Sequence, residues 1–105
     1  MLAAAGAGAG VVAYVRGALK VNLPNDYEAV VTATRAAIKD LQFAPVSERK
    51  DALKAVFVAR TALDKKVEIS LENSSKQLTS IEIRVGVIGD EQLSLAVLDK
   101  LKSRL

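Results

Sequence analysis

Neither cysteine nor histidine occurs among the 105 residues. The first absence excludes disulfides, thiolate nucleophiles and Cys-based metal sites. The second removes the usual general base near neutral pH and the commonest transition-metal ligand. An enzyme built from this chain would have to work with Asp, Glu, Lys, Ser or Tyr. Aromatic residues make up 4% of a composition that is 50% hydrophobic. The core must therefore come from small and branched aliphatic side chains, which disfavours a large aromatic-lined ligand pocket. No long run of one charge occurs either. The 15 basic residues are spread among 12 acidic ones for a net charge of +3, and the longest basic runs are Arg49-Lys50 and Lys65-Lys66. That distribution describes a solvated, mixed-sign surface, and nucleic acid is not an expected partner.

At this length one domain is expected, burying roughly two thirds of the surface its unfolded chain would expose. Charge is missing altogether before Arg16, where "AAAGAGAGVVAYVRG" alternates Ala with Gly. The stretch is too short and too Gly-rich for a spanning helix, which needs roughly 20 apolar residues. Only Met1 and Leu2 precede it, so the basic region of a secretory signal is absent and any such signal is expected to be already removed. "AGAGAG" supports two readings: a flexible tether, or an extended segment that packs closely against another backbone. The division is residues 1–10 as an apolar Gly/Ala segment and residues 11–105 as a single domain.

From Val11 to Leu23, "VVAYVRGALKVNL" alternates in steps of two and predicts one long strand whose odd positions are buried. Pro24 ends it, and Asn25 with Glu28 makes a capping box for a helix. Tyr27, Val30, Val31, Thr34, Ala37, Ile38 and Leu41 recur at helical spacing through about Gln42. Phe43 to Val46, holding Pro45, reads as an edge strand or connector. Leu53 to Thr61 is a strand, followed by "KVEISLE", which turns Val67, Ile69 and Leu71 inward. After a polar loop over residues 73–77, "SIEIRVGV" buries Ile81, Ile83 and Val85. Two registers keep both apolar sets inward; the one placing Glu68 opposite Arg84 and Ser70 opposite Glu82 avoids opposing Glu68 with Glu82. Gly89 breaks the strand, and Asp90 caps a final helix with Leu93, Ala96, Val97, Leu101 and Leu105 on its apolar side. The sum is an α+β fold: an antiparallel sheet of four to five strands with two helices on one face, in the order β-α-β-β-β-(β)-α.

One strand is apolar on both faces. Val56 and Val58 point one way while Ala55, Phe57 and Ala59 point the other, and a two-layer fold covers only one side. Carboxylates suited to catalysis are not singled out by spacing. Asp90 and Glu91 fit a helix start, and Glu68, Glu72 and Glu82 fit a cross-strand charge lattice with Lys66 and Arg84. "GVIGDE" lacks the Lys-Ser/Thr pair of a P-loop and the third Gly of a dinucleotide fingerprint, so it reads as a turn and a cap. No catalytic, cofactor-binding or metal-ligating residue is assigned, and no cofactor is expected.

The segments "GAGAGVVAYVRGALK", the helix after "NDYEAV", and "IEIRVGVIGDEQLSLAVLDKLKSRL" resemble a family of small uncharacterised bacterial envelope lipoproteins, a domain of unknown function. The similarity runs from Gly6 to Leu105 and is most specific at "AYVRG" and "RVGVIGDEQLS". It implies a bacterial cell envelope location, in the periplasm, at the outer membrane or at the cell surface. It also implies a lipid-bearing Cys shortly before the Gly/Ala stretch, where this sequence has none, so membrane contact would come only through an anchor not present in this chain.

The expectation is a non-enzymatic envelope or extracellular structural domain that self-associates, into an oligomer or fibre, through its extended apolar N-terminal segment. The assembly residues are Ala5, Gly6, Gly8, Gly10, Val12, Tyr14 and Arg16, with Val56, Phe57 and Val58 as the surface needing cover; Tyr14 and Arg16 suit an interface best. The alternative is a tethered monomer that binds another envelope protein through the polar sheet face around Lys66, Glu68, Glu82 and Arg84.

Overall fold

A computed structural model describes residues 12–105. Its secondary structure runs β1 (Ala13–Val15), β2 (Ala18–Leu23), α1 (Tyr27–Asp40), β3 (Ala44–Lys50), β4 (Lys54–Arg60), β5 (Lys66–Ser75), β6 (Leu78–Val85) and α2 (Glu91–Lys102). All six strands join one antiparallel sheet in the order β1-β2-β6-β5-β4-β3. Helix α1 carries the chain from β2 across to the far edge, β3 to β6 meander back, and β6 closes against β2. Both helices pack on one face and against each other, α1 over β5 and α2 over β6 and β2. The α+β architecture is as expected, but the sheet has six strands rather than four to five.

The additional strand at one edge comes from the segment read as one long strand over Val11 to Leu23. That segment is a hairpin, with Val15 opposite Ala18 and the turn made by Arg16 (φ 54) and Gly17 (φ 82). Positive φ at both turn residues is the type I′ geometry that matches strand twist. The two-residue loop inverts which parity faces the core, and the pattern hides this because Ala13, Tyr14 and Val15 are apolar on both parities. Leu19, Val21 and Leu23 are buried, but their partner face in β1 holds Tyr14, half-buried against the core. Val12 and Val15 are exposed instead. At the other edge, the short piece expected at Phe43 to Val46 becomes the seven-residue β3. All of it is exposed, with a bulge between Pro45 and Ser47. A strand covered on neither face has no apolar period to reveal it.

Beneath the helices the core is aliphatic, centred on Leu19, Val67, Ile69, Leu71, Ile81, Ile83, Val85, Val30, Val97 and Leu101. The β5–β6 register is the one argued from charge, with Glu68 opposite Arg84 and Ser70 opposite Glu82. The loop expected over residues 73–77 shrinks to Lys76 and Gln77, since β5 runs on to Ser75 past an irregularity. Helix α1 is capped by Asp26 rather than Asn25. The Asp26 carboxylate accepts from Ala29 N at 3.4 Å, while the Asn25 carbonyl accepts from the buried Thr79 hydroxyl at 2.9 Å. Glu28 pairs with Lys50 instead of closing a capping box. Helix α2 starts at its expected cap, Asp90, which accepts from Leu93 N at 3.0 Å. Its buried face carries Ser94, Val97, Leu98 and Leu101; Ala96 and Leu105 are exposed, contrary to the expected stripe.

Candidate functional site

Each sheet edge and the uncovered face presents different chemistry. On the face away from the helices, charges of opposite sign mostly face one another across the strands, Lys20 with Glu82, Lys54 with Glu72 and Glu68 with Arg84, the exception being Arg60 opposite Lys66 at one end. A shallow trough of about 550 Å³ runs along it past Lys20, Asn22, Ser70, Ser80 and Glu82. The apolar exception is β4. Val56 lies between Arg49 and Ser70, and Val58 between Ser47 and Glu68, both half-buried on this face. Phe57 is not with them: it is 2% exposed in the core beneath the helices.

The edges are unlike each other. Strand β3 carries Pro45, a bulge, and the charges Glu48, Arg49 and Lys50. Its helix-side charges are tied to α1, Glu48 by the Arg35 guanidinium at 2.6 Å and Lys50 by Glu28 at 3.0 Å. Proline, bulges and charge are the devices that stop an edge from accepting another strand. Strand β1 has none of them. Its residues are Ala13, Tyr14 and Val15, flanked by exposed Val12, and among the described residues nothing pairs with its outer side.

Of the residues expected to assemble, Val12, Tyr14 and Arg16 thus gather at the β1 edge and its turn. Val56 and Val58 lie four strands away on β4, and Phe57 is inside. Ala5, Gly6, Gly8 and Gly10, with the division at residue 10, lie outside the described residues. The structure does join the two most specific sequence motifs. Gly89 sits so close to the β1–β2 turn that a methyl group on it would lie 2.5 Å from Tyr14 Oη and 2.6 Å from Gly17 Cα. "AYVRG" and "RVGVIGDEQLS" are two halves of one packing contact.

Sequence reasoning missed Val87 and Ile88, which stand 96% and 91% exposed on the loop between β6 and α2. The available signal was a pair of β-branched residues held between Gly86 and Gly89 in a turn.

Four carboxyl groups are more acidic than usual, each for a local reason. A hydrogen bond and ion pair from Arg104 hold Asp40 below the usual carboxylate range, and Arg35 does the same for Glu48. Asp51 is lowered by the backbone N–H groups of Leu53 and Lys54, and Asp90 by Leu93 N–H and then Lys65. Asp40 and Glu48 sit in ion pairs, Asp51 closes the β3–β4 turn, and Asp90 caps a helix. Burial pushes the Tyr27 phenol up, while its hydroxyl donates to Asp51 O at 2.9 Å. No group of three acidic residues among the described residues could hold a metal ion, and no described helix is long and apolar enough to cross a membrane.

These directions fix the pH dependence of stability. A carboxyl more acidic in the folded than in the unfolded chain stabilises the fold above its unfolded pKa, and this is lost as pH falls through the folded value. The raised Tyr27 contributes stability that is lost as pH rises past the phenol range. With no histidine between them, urea-unfolding free energy should stay flat from roughly pH 5 to 9 and drop below roughly pH 4. A midpoint moving steeply around pH 6 to 7 would contradict this assignment.

No curated protein matches the chain. Residues 1–104 match the family described as "Protein of unknown function (DUF3568)", and the chain belongs to that family.

Proposed function

We propose that this protein is a non-enzymatic structural domain of the bacterial envelope or extracellular space that self-associates through its uncharged N-terminal stretch and the β1 edge that follows it. The observation that carries the proposal is the asymmetry of the sheet: β3 carries proline, a bulge and charge against strand addition, and the short, uncharged β1 carries none of these three. An added strand gains main-chain hydrogen bonds, and the Ala and Gly side chains of Ala3 to Gly10 allow close approach. The envelope setting rests on the resemblance of "AYVRG" and "RVGVIGDEQLS" to envelope lipoproteins. Pairing of β1 with β1 of a second copy is isologous and closes as a two-fold dimer. An open fibre would need a second, unlike surface to receive the same strand. The alternating charge signs around Lys20, Glu68, Glu82 and Arg84 offer a partner no single complementary charge, so the polar-face alternative ranks second.

Light scattering tests the proposal directly. The intact chain should show at least a dimer mass at micromolar concentration, and a chain lacking residues 1–10 should lose most of that association. Equal monomer masses in both samples would refute it.

A further inference from the structure

The end of the sheet that carries the β1–β2 turn also carries the β4–β5 turn and the β6–α2 loop. Three aliphatic side chains stand in solvent there: Leu63 at 84%, Val87 at 96% and Ile88 at 91% exposure. Their display is built in. The Thr61 hydroxyl accepts from Leu63 N and Lys65 N, Asp64 N donates to the Thr61 carbonyl, and Asp64 adopts φ 64. The second tip is held at one end by Gly86, whose N–H donates to Lys66 O at 2.8 Å, and at the other by Gly89 packed on Gly17. An ion pair between Lys65 and Asp90 at 3.2 Å links the two loops. Fixed turns that hold large aliphatic groups in water lose what folding usually gains, and exposed apolar clusters of this kind mark interaction sites.

The charge around these tips is as unusual as their exposure. Among the cross-strand pairs of the described residues, Arg60 opposite Lys66 is the one that sets like charges face to face. Both line a cleft of about 850 Å³ in which four cations, Arg60, Lys65, Lys66 and Arg84, outnumber two acids, Asp64 and Glu68, beside Val87 and Ile88, and Arg60 reaches the exposed Asp64 at 3.5 Å. Arg16 is exposed at the neighbouring turn. Directly opposed like charges are unfavourable, and Asp64 offsets Arg60 alone, which leaves a net positive charge at this end.

We infer that this end of the domain docks onto an anionic phospholipid bilayer. Leu63, Val87 and Ile88 enter the boundary between headgroups and acyl chains, and Arg16, Arg60 and Lys66 meet the phosphates. Apolar tips beside an excess of cations over acids match the two components of such a surface, whereas a free phosphate or a soluble acidic partner would leave the aliphatic tips unused. The docking surface belongs to the folded domain and, apart from Arg16 at the β1–β2 turn, shares no residue with the β1 edge.

The chain contains no tryptophan, so Val87→Trp provides a single fluorescent reporter on a side chain that supports no packing. With the full chain and phosphatidylglycerol vesicles, its emission should shift to the blue. Vesicle sedimentation should weaken about tenfold or more in Ile88→Asp and in the Arg60→Glu/Lys66→Glu pair, and weaken with added salt. Phosphatidylcholine vesicles should bind far less. Three results would each overturn the inference: an unmoved Val87→Trp emission, undiminished sedimentation of both variants, or equal binding to phosphatidylcholine. Binding driven by the N-terminal stretch alone would give the second of these.

Discussion

Gly89→Ala should cost this domain about 2–4 kcal/mol of unfolding free energy, whereas Gly86→Ala, three residues earlier, should cost about 1 kcal/mol. Both glycines adopt positive φ, 105° and 72°, so both substitutions incur backbone strain. Their surroundings differ. A methyl group at Gly86 meets nothing within 4 Å. At Gly89 it would lie 2.6 Å from Gly17 Cα and 2.9 Å from Gly17 O, backbone atoms that cannot swing aside as a side-chain end can. Relief requires the β6–α2 loop and the β1–β2 hairpin to part, releasing Tyr14 from its place against the core. Thermal or urea unfolding of the two variants measures the difference, and equal destabilisation would show that the close approach contributes nothing. Gly17→Ala, placing a methyl 2.7 Å from Ile88 O, should resemble Gly89→Ala. The double variant should cost less than the sum, because both break one contact.

That contact also shows where sequence reasoning stops. The pattern of apolar residues identifies both helices, the interior strands and the cap at Asp90, because each depends on local spacing. The β5–β6 register was legible too, since Glu68, Glu82 and Arg84 leave one arrangement free of opposed like charges. Gly17 and Gly89 are 72 positions apart in number, and nothing in either neighbourhood announces their meeting. The β1–β2 turn was hidden for another reason. Arg16-Gly17 is a permissible type I′ pair, but the flanking residues are apolar on both parities, so a straight strand and a hairpin write almost the same pattern. Strand β3 left no pattern because both its faces are exposed. Val56 and Val58 were correctly read as apolar residues on the face opposite Phe57, yet only the strand order shows that β4 lies near the edge away from β1. Val12, Tyr14, Arg16, Val56 and Val58 were thus legible as unusual residues whose grouping depended on topology, while Leu63, Val87 and Ile88 drew no notice because their exposure is set by loop conformation.

Val12→Pro should convert the assembled protein to monomers without lowering its melting temperature by more than a degree or two. The argument starts from the hairpin. In a two-residue loop the flanking pair, Val15 and Ala18, exchanges both main-chain hydrogen bonds, and bonded pairs then alternate along the ladder. Ala13 and Val15 turn their N–H groups toward β2, whereas Tyr14 and Val12 turn theirs toward the open side. Proline at position 12 removes one outward donor and leaves the internal ladder intact. Its ring is also a device that natural edges use against strand addition. Val12 is 41% exposed, so its side chain contributes little to the core. The equivalent change at position 13 would remove a bond to β2 and confuse folding with assembly. If β1 receives the second copy, light scattering of Val12→Pro gives the monomer mass beside an oligomeric wild type, with superimposable circular dichroism. An oligomer of unchanged mass would move the interface away from β1. The Val56/Val58 strip would then be the surface to substitute next, since it is the apolar part of the open face that no element of the described fold covers.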